Sequence, residues 1–134
     1  MPLEATASAW APRMLSVLRI MTGLLFLQHG TWKFFGFPDF TEWPRPELGT
    51  MSGIAGIFEL VGGILIAIGL FTRPVAFVLA GTMAVAYFYV HAPVNFFPII
   101  NRGELAVLYC FAFLYLMCAG GGPWSVDARR GAKV

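Results

Sequence analysis

Four apolar runs, separated by short polar interruptions, make up most of this chain: roughly residues 14–35, 51–71, 75–92 and 103–120. Each is close to the roughly 17–25 residues a helix needs to cross a bilayer, so the pattern predicts four spanning helices. Periodicity separates no faces within them, because helices apolar all round are expected in lipid. The connection Thr72-Arg73-Pro74 is tight, which makes the second and third helices antiparallel neighbours. The first connection, Gly36 to Gly49, carries Pro38, Pro44 and Pro46 and reads as an extended or interfacial segment. Its Phe37, Phe40 and Trp43 suit the headgroup layer. The third connection runs from His91 to Gly103, with Pro93 and Pro98 ending the third helix, and Gly120-Gly121-Gly122-Pro123 stops the fourth. The expected architecture is all-α: one domain over residues 1–134, an integral membrane antiparallel four-helix bundle.

Composition agrees with a chain whose solvent is lipid. Of 134 residues, 58% are hydrophobic and 12% charged, where a soluble domain carries about a quarter charged residues. The first ten residues hold no basic leader, so no cleavable signal peptide is expected and the first helix serves as its own insertion signal. No nucleic-acid partner is expected, and the net charge of +2 says little by itself, but its distribution is informative. With four spans, Arg13, Arg73, Arg129, Arg130 and Lys133 fall on one side of the membrane and Lys33, Arg45 and Arg102 on the other. The positive-inside rule then puts both termini in the cytoplasm of a bacterial-type inner membrane. Cys110 and Cys118 lie eight residues apart on the fourth helix, about 12 Å of rise and too far for a disulfide. With no Cys-x-x-Cys, thiol exchange lacks its parts, and both read as buried, inert side chains.

Glu59 is the one carboxylate inside the second run. A bare carboxylate in hydrocarbon costs roughly 2.5 kcal/mol or more, so it is expected to be protonated, paired or turned to an internal cavity. Eight residues into its helix, it lies about 12 Å deep from the outer side. Ser52, Gly56, Glu59 and Gly63 follow helical spacing, which places it on a small-residue seam facing another helix. His29 and Lys33, four apart on the first helix, are its expected partners, on a stripe with Arg19, Gly23, Phe26 and Gly30. His91 closes the third helix on the same side, and Arg102 and Glu104 open the fourth. All four helices therefore bring polar groups to the outer half. Each also has a structural reading: an ion pair fixes helix register, a histidine caps a helix end, a carboxylate suits a helix start. Trp32 and the nearby aromatics suit either a ring-binding wall or an interface belt. Two histidines near helix ends, without further ligands, do not make a metal site.

These segments resemble a known family. Gln28-His29-Gly30-Thr31-Trp32-Lys33-Phe34-Phe35-Gly36 is similar to the His-Gly-x-x-Lys-aromatic signature of DoxX-family membrane proteins. Phe58-Glu59-Leu60-Val61-Gly62-Gly63 with Gly69-Leu70-Phe71-Thr72-Arg73 resembles their second helix and basic turn. Asn101-Arg102-Gly103-Glu104-Leu105 resembles their Asn-Gly-Gly-Glu start of the fourth helix, with Arg102 in place of a glycine. Gly122-Pro123-Trp124-Ser125-Val126-Asp127 is similar to their tail. The resemblance implies a four-helix inner-membrane protein, some of whose relatives accompany a thiosulfate:quinone oxidoreductase and others complexes handling oxidative stress. Carried over, the family positions are His29, Lys33, Glu59, Asn101 and Glu104. The expected catalytic candidates are His29, Lys33 and Glu59, and the cofactor-binding candidates Trp32, His91, Asn101, Arg102 and Glu104; no metal is expected. Without a flavin fingerprint or a cysteine motif, redox chemistry in this chain requires a bound quinone or a partner redox subunit. The alternatives are a non-catalytic membrane scaffold, stapled by the same cluster, and a small transporter, its pathway enlarged by a homo-oligomer.

Overall fold

The computed structural model describes residues 2–39, 42 and 44–133. Phe40 and Trp43, expected at the headgroup layer, lie outside the described residues; Phe37 is exposed. The described residues form helices α1 (Pro2–Phe35), α2 (Met51–Ile68), α3 (Thr72–Ala86, continued by a π-helical turn Tyr87–His91), α4 (Pro98–Asn101), α5 (Glu104–Ala119) and α6 (Val126–Arg129). Three of them, Pro2–Phe35, Met51–Ile68 and the continuous Thr72–His91, are long and apolar enough to cross a membrane. The chain is an all-α, multi-pass membrane protein. The fourth expected span, α5, is a shorter apolar helix of 16 residues, closed by Gly120 at φ 87°.

The helix ends depart from the hydropathy pattern for local reasons. Helix α1 begins twelve residues before the apolar run, because hydropathy marks what lies in lipid rather than what is helical. Its 34 residues rise about 51 Å, well beyond a hydrocarbon core of roughly 30 Å, and Pro2–Met14 are exposed along their length. Pro12 sits inside the helix and removes one backbone donor without ending it. Helix α2 stops three residues early because Gly69 takes a left-handed φ of 71°, returning its own N–H to Ile66 O and that of Leu70 to Leu65 O. Helix α3 starts at Thr72 because Pro74 falls in its first turn, where a missing N–H is harmless. At its far end Ala92 N donates to Tyr87 O, widening the last turn.

Helix α1 packs along α2, and α3 along α5; α2 and α3 touch less, with Gly62 against Leu79. The α1–α2 seam is set by glycines: a Cβ on Gly23 would lie 2.5 Å from Ala67 N, and one on Gly63 would lie 2.7 Å from Leu27 Cα. Phe26, Phe113, Leu79, Ile66 and Leu116 fill the centre, with Phe26 edge-on to Phe113 at 5.0 Å and to Tyr109 at 5.2 Å. Cys110 is half-buried and Cys118 exposed, so the expectation that both are buried fails for Cys118, which points away from the core on α5.

The end of the molecule that carries the α2–α3 turn is sewn together by the tail. Arg19, fully buried, donates from Nη2 to Trp124 O at 2.8 Å, and Trp124 N donates to Ser16 Oγ at 3.1 Å. Arg19 therefore pairs internally rather than reaching a surface, and its Nε and Nη1 have no hydrogen-bond partner among the described residues. Asp127 accepts from Phe71 N and Thr72 N, both at 2.8 Å, and caps α3 from a distance of 55 residues in sequence. Burial pushes the Asp127 carboxyl up, but the hydrogen bonds from Thr72 and Phe71 and the charge of Arg130 outweigh it and hold it below the usual carboxylate range. A carboxylate depressed in the folded state contributes stability above its unfolded value and loses it as pH falls through the folded one. Hydrogen exchange at Phe71 and Thr72, corrected for intrinsic rate, is therefore expected to rise on acidification to about pH 3. In Asp127→Asn it should already be raised at neutral pH and vary little with acid. Equal protection in the two proteins at neutral pH would contradict the remote cap.

Candidate functional site

At the opposite end the two helix pairs diverge around a cavity of about 880 Å³, within the roughly 300–1,000 Å³ of small-molecule sites. Its walls come from α1, α2, α3 and α5. Six of the eight residues singled out from the sequence line it: His29, Trp32, Lys33, Glu59, His91 and Arg102. They arrive there for separable reasons. The glycine seam brings α1 against α2, so Gly30 and Gly56 stack and the side chains one turn on, Lys33 and Glu59, meet. Lys33 Nζ donates to Glu59 Oε1 at 3.0 Å and lies 2.9 Å from Oε2. Only the first contact has hydrogen-bond geometry; Oε2 is buried and receives none among the described residues, so the second is purely ionic. Both side chains are about nine-tenths buried, at 11% and 8% exposure.

His29 sits one turn before Lys33, within electrostatic reach of both members of the pair, and its ring meets that of Tyr109 edge-on at 6.1 Å. Trp32 is half-buried on the same wall. His91 ends the π-helical turn, its ring stacked on Tyr87 at 6.4 Å and its Nδ1 3.0 Å from Asn101 O. Arg102 is exposed at the cavity rim with φ 60°, a left-handed conformation that favours glycine. That backbone requirement explains why a glycine suits this position in the motif it resembles.

The other two residues do not line the cavity. Asn101 is buried behind the wall, where it ties the 92–103 connection together. Its Nδ2 donates to Asn95 O at 2.7 Å and Tyr87 Oη at 3.2 Å, and its Oδ1 accepts from Gly103 N at 2.7 Å. Tyr87 Oη in turn donates to Phe96 O. Glu104 is exposed in the first turn of α5. Conversely, Tyr109 lines the cavity and escaped the sequence reading. Its signal was the four-residue spacing from Phe113, hidden in a helix that is apolar all round. Gln28, Asp39 and Ser52 also line the cavity, Asp39 from beyond the end of α1 and Ser52 from the start of α2. Among the described residues no three His, Cys, Asp or Glu side chains are grouped to hold a metal ion.

The arrangement offers the Lys33–Glu59 pair with an unfilled carboxylate acceptor, the imidazole of His29 and the phenol of Tyr109, with Arg102, Asp39 and His91 on the same lining and mostly apolar side chains elsewhere. Such a set can hold an uncharged polar ring by donor and acceptor and can pass a proton between neighbouring groups.

Comparison with known proteins agrees with the motifs. A family model described as DoxX matches residues 14–92. An uncharacterized protein of Haemophilus influenzae is 43% identical over 124 residues, covering 90% of this chain and 92% of its own length. CatD of Bacillus subtilis, whose name assigns it provisionally to the oxidoreductases, is 30% identical over 83% of this chain and 82% of its own. The inner membrane protein YphA of Escherichia coli is 29% identical over 88% and 91%. No solved structure matches at comparable significance.

Proposed function

We propose that this chain, which belongs to the DoxX family, is an inner-membrane subunit for quinone-linked redox chemistry. The observation that carries the reading is the buried Lys33–Glu59 pair, with its unfilled Oε2, opening into a chamber of ligand size beside His29. The name of CatD, a relative over most of its length, leans the same way. In this reading four helices cross the membrane antiparallel, α5 being the fourth, with both termini cytoplasmic and the cavity in the outer half.

The residues present fit a quinone: a flat ring with carbonyl oxygens needs donors at its edge and apolar or aromatic faces elsewhere. A bound quinone supplies the capacity to take up two electrons and two protons, the electrons coming from a partner redox subunit. Lys33 Nζ donates towards a carbonyl oxygen and holds the ring edge. Glu59 Oε2 accepts and returns a proton, and His29 exchanges it with the end of the cavity that carries Asp39 and Ser52. Trp32 and Tyr109 wall the ring and exclude water, His91 and Arg102 flank the mouth, and Asn101 positions His91 from behind. Glu104, in the first turn of α5, favours that helix start. Quinone extracted from gently purified protein and identified by mass spectrometry should be stoichiometric in the wild type and absent from a folded Glu59→Gln variant. An empty extract together with no uptake of added quinone would remove the redox reading. A second reading, a scaffold using the pair as a staple, is favoured by the short Lys33–Glu59 distances themselves.

A further inference from the structure

A second cavity, of about 350 Å³, runs between α2 and α3 and is walled entirely by Ile57, Phe58, Val61, Gly62 and Leu65 on one side and Pro74, Val75, Val78 and Leu79 on the other. The polar chamber uses the next stretches of the same two helices, Met51 to Glu59 on α2 and Gly81 to His91 on α3, and Phe58 lines both spaces. The two cavities therefore lie end to end along one helix pair, polar chamber first and carbon-lined slot beyond. On α2 the slot extends from Ile57 to Leu65, about 12 Å of helix rise, parallel to the direction in which lipid chains lie. Both spaces are open on the lipid side: Phe58 is 40% exposed, Val61 52%, Val78 47% and Tyr89 65%. Helices α2 and α3 touch each other less than each touches its other neighbour, α1 for α2 and α5 for α3, and within the slot Gly62 lies against Leu79, leaving the groove on the lipid side of that contact.

We infer that the ligand is a lipid-soluble quinone that enters sideways from the bilayer between α2 and α3, its ring in the polar chamber and its apolar chain in the α2–α3 slot. The inference rests on the quinone reading and adds the route and the class of tail. The order of the two spaces sets the orientation: the chamber holds the charged pair, and the slot offers no polar side chain that a ring oxygen could meet. Buried Glu59, with Oε2 unfilled, is aimed into the chamber and not into the slot. The end of the chamber bearing Asp39, Ser52 and His91 leaves the ring within reach of water for proton exchange.

The test uses the full-length protein in nanodiscs and two photoreactive benzoquinones, one with an azide on the ring and one with a diazirine at the end of a decyl chain. The ring label should map to the chamber, at Trp32, Lys33 or Tyr109, and the chain label to Val61, Leu65, Val75 or Val78. A paired Val61→Trp and Val78→Trp substitution, which fills the slot, should weaken binding of the decyl quinone about tenfold and leave its tail-less analogue unchanged. Ring labelling in the chamber with chain labelling spread over other lipid-facing residues, such as Leu108 and Phe111, would overturn the tail route and leave the redox reading standing. So would equal binding of the decyl quinone to the filled variant. No ring labelling in the chamber would overturn both, and labelling of the slot alone would assign it to bilayer lipid.

Discussion

Replacing Lys33 alone by Met is expected to lower stability by about 3–5 kcal/mol, and replacing Glu59 by Met in the same chain to recover most of that loss. The asymmetry follows from burial. Removing the ammonium strands a carboxylate whose side chain is 8% exposed and whose Oε2 has no hydrogen bond among the described residues. Removing both charges leaves two apolar side chains where two ions were, and the desolvation penalty goes with them. Thermal unfolding of the purified protein in detergent, carried round the full double-mutant cycle, measures the coupling. Losses that merely add would mean that the pair is not an interacting unit. The same two proteins separate the two functional readings. If the pair is only a staple, the stable double variant keeps every other property of the wild type. If it is the polar end of a ligand site, the double variant folds and no longer retains quinone.

How much of this was legible depended on whether a feature is local. The stripe Arg19, Gly23, Phe26, Gly30 and the seam Gly56, Glu59, Gly63 could be read directly, because small and polar residues at helical spacing stand out against an apolar background; these are buried in the structure, whereas Ser52, read onto the same seam, is exposed. From that juxtaposition the meeting of Lys33 and Glu59 followed. The polar groups at the chamber end were legible for the same reason, since depth along a helix is arithmetic. What stayed hidden was non-local or masked by uniformity. Nothing near Trp124 or Asp127 announces that they bind Arg19 and the start of α3, across 105 and 55 residues of sequence. Tyr109 disappears in a helix with no polar face to mark the inside. Asn101 read as a ligand residue, whereas its side chain is occupied by the backbone and hydroxyl groups of its own connection. The α2–α3 slot could not be read at all, because it mixes buried Gly62 and Leu79 with exposed Ile57, Val61 and Val78, and nothing in a uniformly apolar run tells the two sets apart.

Gly30→Val is the substitution expected to damage the fold most without touching a polar residue. A Cβ at Gly30 would lie 2.6 Å from Leu60 N, 2.9 Å from Leu60 Cα and 3.0 Å from Gly56 O. All three are backbone atoms of α2, so no side chain can swing aside and the helices themselves must separate. Overpacking of this kind costs on the order of 3 kcal/mol, and a β-branched side chain extends the clash further. Lys33 is less than one turn away, so parting α1 from α2 also draws Nζ off the carboxylate and widens the chamber. Gly81→Ala is the control: nothing lies within 4 Å of a Cβ there, and in the middle of α3 the exchange should gain up to about 1 kcal/mol from helix propensity. The yield of folded protein and its unfolding temperature should therefore move in opposite directions for the two variants. Were Gly30→Val tolerated as well as Gly81→Ala, the close approach of α1 to α2 would be wrong. Loss of quinone in a folded Gly30→Ala protein, with every charged group intact, would show that the site depends on the glycine seam that brings Lys33 to Glu59, and not on the charges alone.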